Sequence, residues 1–201
     1  MRIIVATKNQ DKVKEISKIL KRCPYNVVSL SALRKKIYIR EDGKTFEENA
    51  VKKALAVSKG YPKDYVLGED SGLSVEYLNG LPGVHSKRYS GKNANTFKNN
   101  KKLLKALEGV PLSKRDAAYK CLLVLAKNKK VLKVFEGECR GRINNDFCGE
   151  NGFGYDPVFY LPEFKKTAAE ISVTAKNKIS HRGKAFRKFN SYISKIAGIK
   201  C

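Results

Sequence analysis

The chain has 201 residues, 42% apolar and 30% charged, a globular composition that excludes a disordered protein and leaves room for a substantial core. Its 42 Lys and Arg against 19 Asp and Glu give a net charge of +23, which attracts polyanions of every kind and so selects none of them. The longest strongly apolar run, Cys121 to Ala126, is far shorter than the roughly 20 residues that span a bilayer, which excludes a membrane helix.

Arg2 to Ala6 reads as a buried first strand, and Asp11 to Arg22 as a helix with Val13, Ile16, Ile19 and Leu20 at helical spacing. Asn26 to Leu30 is expected to be a second strand. Thr45-Phe46-Glu47-Glu48 has the form of a capping box and opens a helix to about Lys59. Tyr65 to Gly68 reads as a short strand, with Ser74 to Leu78 following it and turning at Asn79-Gly80. A third helix covers Asn95 to Glu108 and stops at Gly109 and Pro111. Ala117 to Lys127 and Val131 to Arg142 form a hairpin about Asn128-Lys129. The last helix runs from His181 to about Lys195, with Phe186, Phe189, Ile193 and Ile196 on one face. Strands and helices alternate before the long hairpin, so an α/β fold with a mixed sheet and one domain over 1–201 is expected.

The start, Met1 to Ala6, passes at once into polar residues and is too brief for a signal-peptide core. Five cysteines, Cys23, Cys121, Cys139, Cys148 and Cys201, show no CxxC spacing, so free thiols and a cytoplasmic location are expected. Basic clusters such as Arg34-Lys35-Lys36 and Lys127 to Lys130 are short, and aromatic residues do not interleave with them as a base-stacking platform requires. No specific nucleic acid and no membrane is expected as a partner.

Four polar clusters interrupt this scaffold where α/β proteins place their sites. Thr7-Lys8-Asn9-Gln10-Asp11-Lys12, at the first strand-to-helix junction, offers hydroxyl, amide, ammonium and helix N–H groups to an anion; a plain capped loop would look the same. No Walker loop occurs. Glu69-Asp70-Ser71 within Gly68 to Leu73 offers adjacent carboxylates that could hold a hard cation, with Glu41 as a further one; local charge balance is the plainer account. Gly152-Phe153-Gly154-Tyr155-Asp156-Pro157 lets the backbone approach a planar ligand and presents a ring for stacking, or is a glycine turn that packs an aromatic inward. Lys176 and Ser180-His181-Arg182-Gly183 bring imidazole and guanidinium donors to the start of the last helix, where a capping histidine is the simpler reading. Taken together, phosphate anchor, cation-holding carboxylates, stacking ring and donors for an oxo group describe a purine nucleoside triphosphate.

These four blocks, with Thr45 to Ala50 and Ser86-Lys87-Arg88-Tyr89-Ser90-Gly91 in the same order along almost the whole chain, resemble the inosine triphosphate pyrophosphatase family, also called non-canonical purine NTP or dITP/XTP pyrophosphatases. Lys8 departs from the small residue common in that family. The resemblance implies an elongated mixed sheet whose helices form two lobes around a central cleft, a homodimer, and a Mg2+-dependent reaction on ITP, dITP and XTP. It places Asp70 as proton acceptor and metal ligand and Glu41 as the other metal ligand. Thr7, Lys8, Asn9, Gln10, Asp11, Lys12, Lys53 and Ser71 would lie about the triphosphate. Phe153, Gly154, Tyr155 and Asp156 would lie about the base, with Lys176, His181 and Arg182 reading its edge. Two rivals remain at this level: a nucleic-acid binder driven by the +23 field, and an enzyme for modified pyrimidine triphosphates.

Overall fold

The computed structural model describes residues 2–20, 25–33 and 37–198; Arg22, the two cysteines at 23 and 201, and Arg34-Lys35-Lys36 lie outside the described residues. The strands are β1 (Arg2–Val5), β2 (Asn26–Ser29), β3 (Tyr65–Val75), β4 (Asp116–Lys127), β5 (Lys130–Ile143), β6 (Phe159–Leu161) and β7 (Lys166–Thr167). The helices are α1 (Gln10–Ile19), α2 (Phe46–Gly60), α3 (Thr96–Ala106), α4 (Val173–Ile179) and α5 (His181–Ile196). The strands pair in the order β2-β1-β3-β4-β5-β6-β7. β1 is parallel to β2 and β3, while β6 is antiparallel to β5 and β7, so the sheet is mixed.

The chain divides into two compact units: Met1–Ser71, Cys121–Gly137 and His181–Cys201 form unit 1, and Gly72–Lys120 with Glu138–Ser180 form unit 2. Within unit 1 the two-residue period of the strands sorts side chains between two layers of helix. Ile3, Val5, Leu67, Cys121, Leu123 and Leu125 pack with Ile16 of α1 and with Phe186, Phe189 and Ile193 of α5. The alternate residues Ile4, Ala6 and Val66 meet Val57 of α2, and Val124 and Ala126 meet its Ala50 and Ala54. Two glycines let the helices settle on the strands. A Cβ on Gly68 would stand 2.0 Å from the Ala50 carbonyl oxygen of α2, and one on Gly137 2.0 Å from the His181 carbonyl oxygen of α5. Within unit 2, Leu103 and Leu107 of the α3 region pack with Leu73, Val75, Ile143, Phe159 and Leu161.

Local signals explain the starts and turns. Asn9, Thr45 and Asn95 cap α1, α2 and α3 through their side chains. Glu48 reaches back not to Thr45 but to the Lys44 N–H, at 2.9 Å. Asn128 and Lys129 both take positive φ, 47° and 62°, the conformation that joins two twisted strands in two residues. Three expectations change. β3 does not stop at Gly68 but continues to Val75 through the polar cluster. Ile196 is 46% exposed and does not join the apolar face of α5. α4, β6 and β7 had no counterpart in the sequence reading.

Candidate active site

Because Glu69 and Asp70 are successive residues inside β3, they point to opposite faces and serve two different clusters. The expectation of an adjacent carboxylate pair on one cation is thereby corrected: Glu69 faces α1 and α5, and Asp70 faces α2.

On the α2 side, Lys53 Nζ lies 2.8 Å from Asp70 Oδ1 and 2.6 Å from Glu41 Oε2, and also donates to the Glu69 carbonyl oxygen at 3.1 Å. Asn49 Nδ2 donates to Asp70 Oδ2 at 3.2 Å. Asn49, Lys53 and Asp70 are all buried, whereas the Glu41 side chain is 48% exposed. Burial pushes the Asp70 carboxyl above its ordinary range, and Glu69 adds to this; the opposing pull of Lys53 is outweighed. Burial alone would discharge Lys53, but Asp70, Glu41 and Glu69 hold it charged, with its pKa raised. One ammonium against two carboxylates leaves excess negative charge.

Glu41 and Asp70 both meet the Lys53 ammonium, and their hard oxygen donors are of the kind that a divalent ion takes. Among the described residues no group of three or more His, Cys, Asp or Glu could hold a metal. A divalent ion would therefore rely on Glu41, Asp70, waters and substrate phosphates, as magnesium does.

On the other face, Glu69 is 1% exposed. It accepts from Lys12 Nζ at 2.6 Å and Arg182 Nε at 3.2 Å, and the Cys121 thiol donates to it at 3.7 Å. Arg182 also donates from Nη1 to Glu15 and, at 2.9 Å, from Nη2 to Ser71 Oγ. Burial raises the Glu69 carboxyl, but Lys12 and Arg182 overcome this and hold it well below the usual carboxylate range. Burial, reinforced by Glu69, pushes the Cys121 thiol well up, so it is not a nucleophile. Arg182 is 3% exposed, and these contacts hold Glu15, Glu69 and Ser71 in place. Sequence reasoning did not find Glu15; its place one helical turn after Lys12 at the buried edge of α1 was the available signal.

The α1 junction is folded by its own side chains. Asn9 Oδ1 accepts from the Asp11 and Lys12 N–H groups, and the Thr7 hydroxyl accepts from the Asn9 N–H at 3.2 Å. Lys8, Gln10 and Asp11 are exposed. Unit 1 thus brings Asp70, Glu41 and Lys53 together in one cluster and Lys12, Ser71 and Arg182 in another, with His181 buried at the start of α5.

Unit 2 carries the aromatic turn. Asp156, 2% exposed, accepts from the Phe153 N–H at 2.7 Å, from Lys176 Nζ at 2.6 Å and from the Tyr119 hydroxyl at 3.4 Å. Lys176 Nζ stands 5.0 Å from the Phe153 ring centroid. Gly152 has φ +81°, and a Cβ there would meet Asp156 Oδ2 at 2.2 Å, so only glycine fits beside this carboxylate. Asn100 Nδ2 donates to the Gly154 carbonyl oxygen at 2.9 Å, and the Tyr155 hydroxyl to that of Ser86 at 2.8 Å. Phe153, Gly154, Tyr155, Asp156 and Lys176 therefore form one assembly.

Comparison with known proteins places the chain among relatives. The Ham1 family model matches residues 3–192. A dITP/XTP pyrophosphatase of Caldanaerobacter subterraneus is 48% identical over 195 residues, 97% of each chain. One of Desulforamulus reducens is 44% identical over 196 residues, covering 98% of this chain and 97% of its own. The solved Ham1 protein of Staphylococcus aureus superposes with a TM-score of 0.87 at 38% identity, covering 98% of this chain and all of its own.

Proposed function

The chain belongs to the Ham1 family, and on that premise we propose that it hydrolyses non-canonical purine nucleoside triphosphates, ITP, dITP and XTP, to the monophosphate and pyrophosphate. The substrate class follows from relatives called dITP/XTP pyrophosphatases over nearly their whole length. The observation that carries the chemistry is the convergence of Asp70 and Glu41 on the Lys53 ammonium, a site with a proton acceptor and room in its charge balance for a divalent ion.

In this reading Glu41 and Asp70 would hold Mg2+, which would offset negative charge on the triphosphate. Thr7, Asn9, Lys12, Lys53 and Ser71 bind phosphate oxygens. Lys12 exchanges Glu69 for phosphate. Asp70 takes a proton from water as the water oxygen bonds to the α-phosphorus. The bond from that phosphorus to the α–β bridging oxygen breaks, and its electron pair leaves with pyrophosphate. Burial raises the pKa of the metal-free Asp70 carboxyl, which suits a base.

Phe153 stacks on the base and Lys176 donates to its 6-oxo group. Adenine presents an amino group there, which sets donor against donor at about 1–3 kcal/mol, roughly 10- to 100-fold in rate. Arg182 reads the base edge beside Lys176 and His181, and it also fixes Glu15, Glu69 and Ser71, contacts that engage three of its five N–H groups. The chain acts as one catalytic domain over 1–201, and the protein works as a cytoplasmic homodimer. Among the described residues no helix is long and apolar enough to cross a membrane.

The deciding experiment compares ITP, XTP, dUTP, GTP and ATP with Mg2+, reading pyrophosphate against orthophosphate. ITP and XTP are expected to lead with pyrophosphate as product; ITP no faster than ATP overturns the assignment. Phe153→Ala is expected to raise KM for ITP about 10- to 100-fold, the worth of one stacked base, with little change in kcat. Initial rates across ITP concentration measure it.

A further inference from the structure

Four residues ahead of α2 fold back along that helix in order. Glu41 meets Lys53 at 2.6 Å and Asp42 meets Lys52 at 2.6 Å. The Gly43 N–H donates to Asn49 Oδ1 at 2.8 Å, and the Lys44 N–H to Glu48 Oε2 at 2.9 Å. The Asp42 and Lys44 links are exposed, and water competes for both. The Gly43–Asn49 bond is buried, with Asn49 only 2% exposed. The other end of the same carboxamide donates to Asp70 Oδ2 at 3.2 Å.

We propose that Asn49 is a positioning residue that fixes the segment bearing Glu41 against Asp70, so that the two carboxylates converge before a cation arrives. The inference rests on the reading of that pair as the cation site. A carboxamide suits the task because its oxygen accepts from the backbone N–H while its nitrogen donates to a carboxylate. An aliphatic side chain would leave both partners buried and unsatisfied. Gly43 shares the constraint: a Cβ there would stand 2.7 Å from Asn49 Oδ1 and 2.9 Å from Glu48 Cβ. A methyl at position 43 would press on the Asn49 carboxamide from the side of the Glu41 segment while keeping the Asn49 side chain itself, which makes the link accessible from both sides.

The test uses Asn49→Ala and, should that variant fold poorly, Gly43→Ala. Mn2+ binding to the nucleotide-free protein is read by electron paramagnetic resonance, and Mg2+ dependence by ITP turnover. Both variants are expected to bind Mn2+ about 10-fold more weakly, the effect of losing a group that orients a metal ligand. Half-maximal turnover should need correspondingly more Mg2+, while kcat at saturating Mg2+ falls far less. Unchanged Mn2+ affinity in folded variants overturns the proposal. So does a loss of kcat that no Mg2+ concentration recovers, which is what a purely structural role would give. If the wild type binds Mn2+ but leaves ITP intact, the assigned reaction fails, while the Mn2+ measurement still decides the role of Asn49.

Discussion

Asp70→Asn is expected to lower kcat by about 100- to 10,000-fold, the range for removing a general base, with the protein still folded. The substitution preserves shape and removes charge, so it separates chemistry from packing. Its amide also meets a local difficulty. In the wild type both carboxylate oxygens accept, Oδ1 from Lys53 and Oδ2 from Asn49. The variant's carboxamide can offer its single oxygen to only one of these donors, and its NH2 then faces the other. Asn49 cannot simply rotate to help, because its own oxygen is held by Gly43. A stability loss of about 1–3 kcal/mol is therefore expected beside the rate effect. Pyrophosphate release and denaturant unfolding on the same preparation measure the two. Rates like the wild type's would remove Asp70 from the mechanism.

Arg182→Ala is expected to cost about 3–5 kcal/mol of folding stability, because it strands two buried carboxylates and not merely one ion pair. Glu15 and Glu69 are 8% and 1% exposed, and the variant leaves Lys12 to hold Glu69 without the guanidinium. Arg182→Lys should recover little, since a single ammonium cannot reach Glu15, Glu69 and Ser71 in a fixed fork. The acid side of the stability profile gives a second readout. Glu69 is held below its unfolded value in the native state, so its contribution is full above the ordinary carboxylate range and is lost as pH falls below it. The wild type should lose stability through that window, and the Ala variant should lose less. Urea unfolding at several pH values tests both, and an unchanged midpoint in the variant would refute the account.

Much of the scaffold was legible because its signals are local. Thr45 caps α2 through its own hydroxyl, and Phe186, Phe189 and Ile193 of α5 are fully buried at the spacing their positions imply. Asn128-Lys129 turns the hairpin where the apolar pattern pauses. What was not legible depends on distant partners. Glu69 to Gly72 looks like a loop because it is polar, yet it is strand, since residues up to 113 positions away satisfy its charges. The same distance hid the division of Glu69 from Asp70: alternation is readable only once the strand is known to continue. Asn49 went unremarked because nothing near it in sequence marks a buried carboxamide; its two partners lie 6 and 21 residues away.

The height at which α2 rides over β3 is set by an atom that is missing. At Gly68 a methyl would press to 2.0 Å on the Ala50 oxygen and 2.7 Å on the Ala54 nitrogen, two points of the helix that bracket Lys53. Helix and strand therefore touch main chain to main chain, without a flexible side chain as a cushion between them. The reach of the Lys53 and Asn49 tips toward the neighbouring position 70 is inherited from this seating. It is a mechanical datum for the catalytic cluster, like the machined face from which other clearances are measured, and it is supplied by a residue with no chemistry of its own.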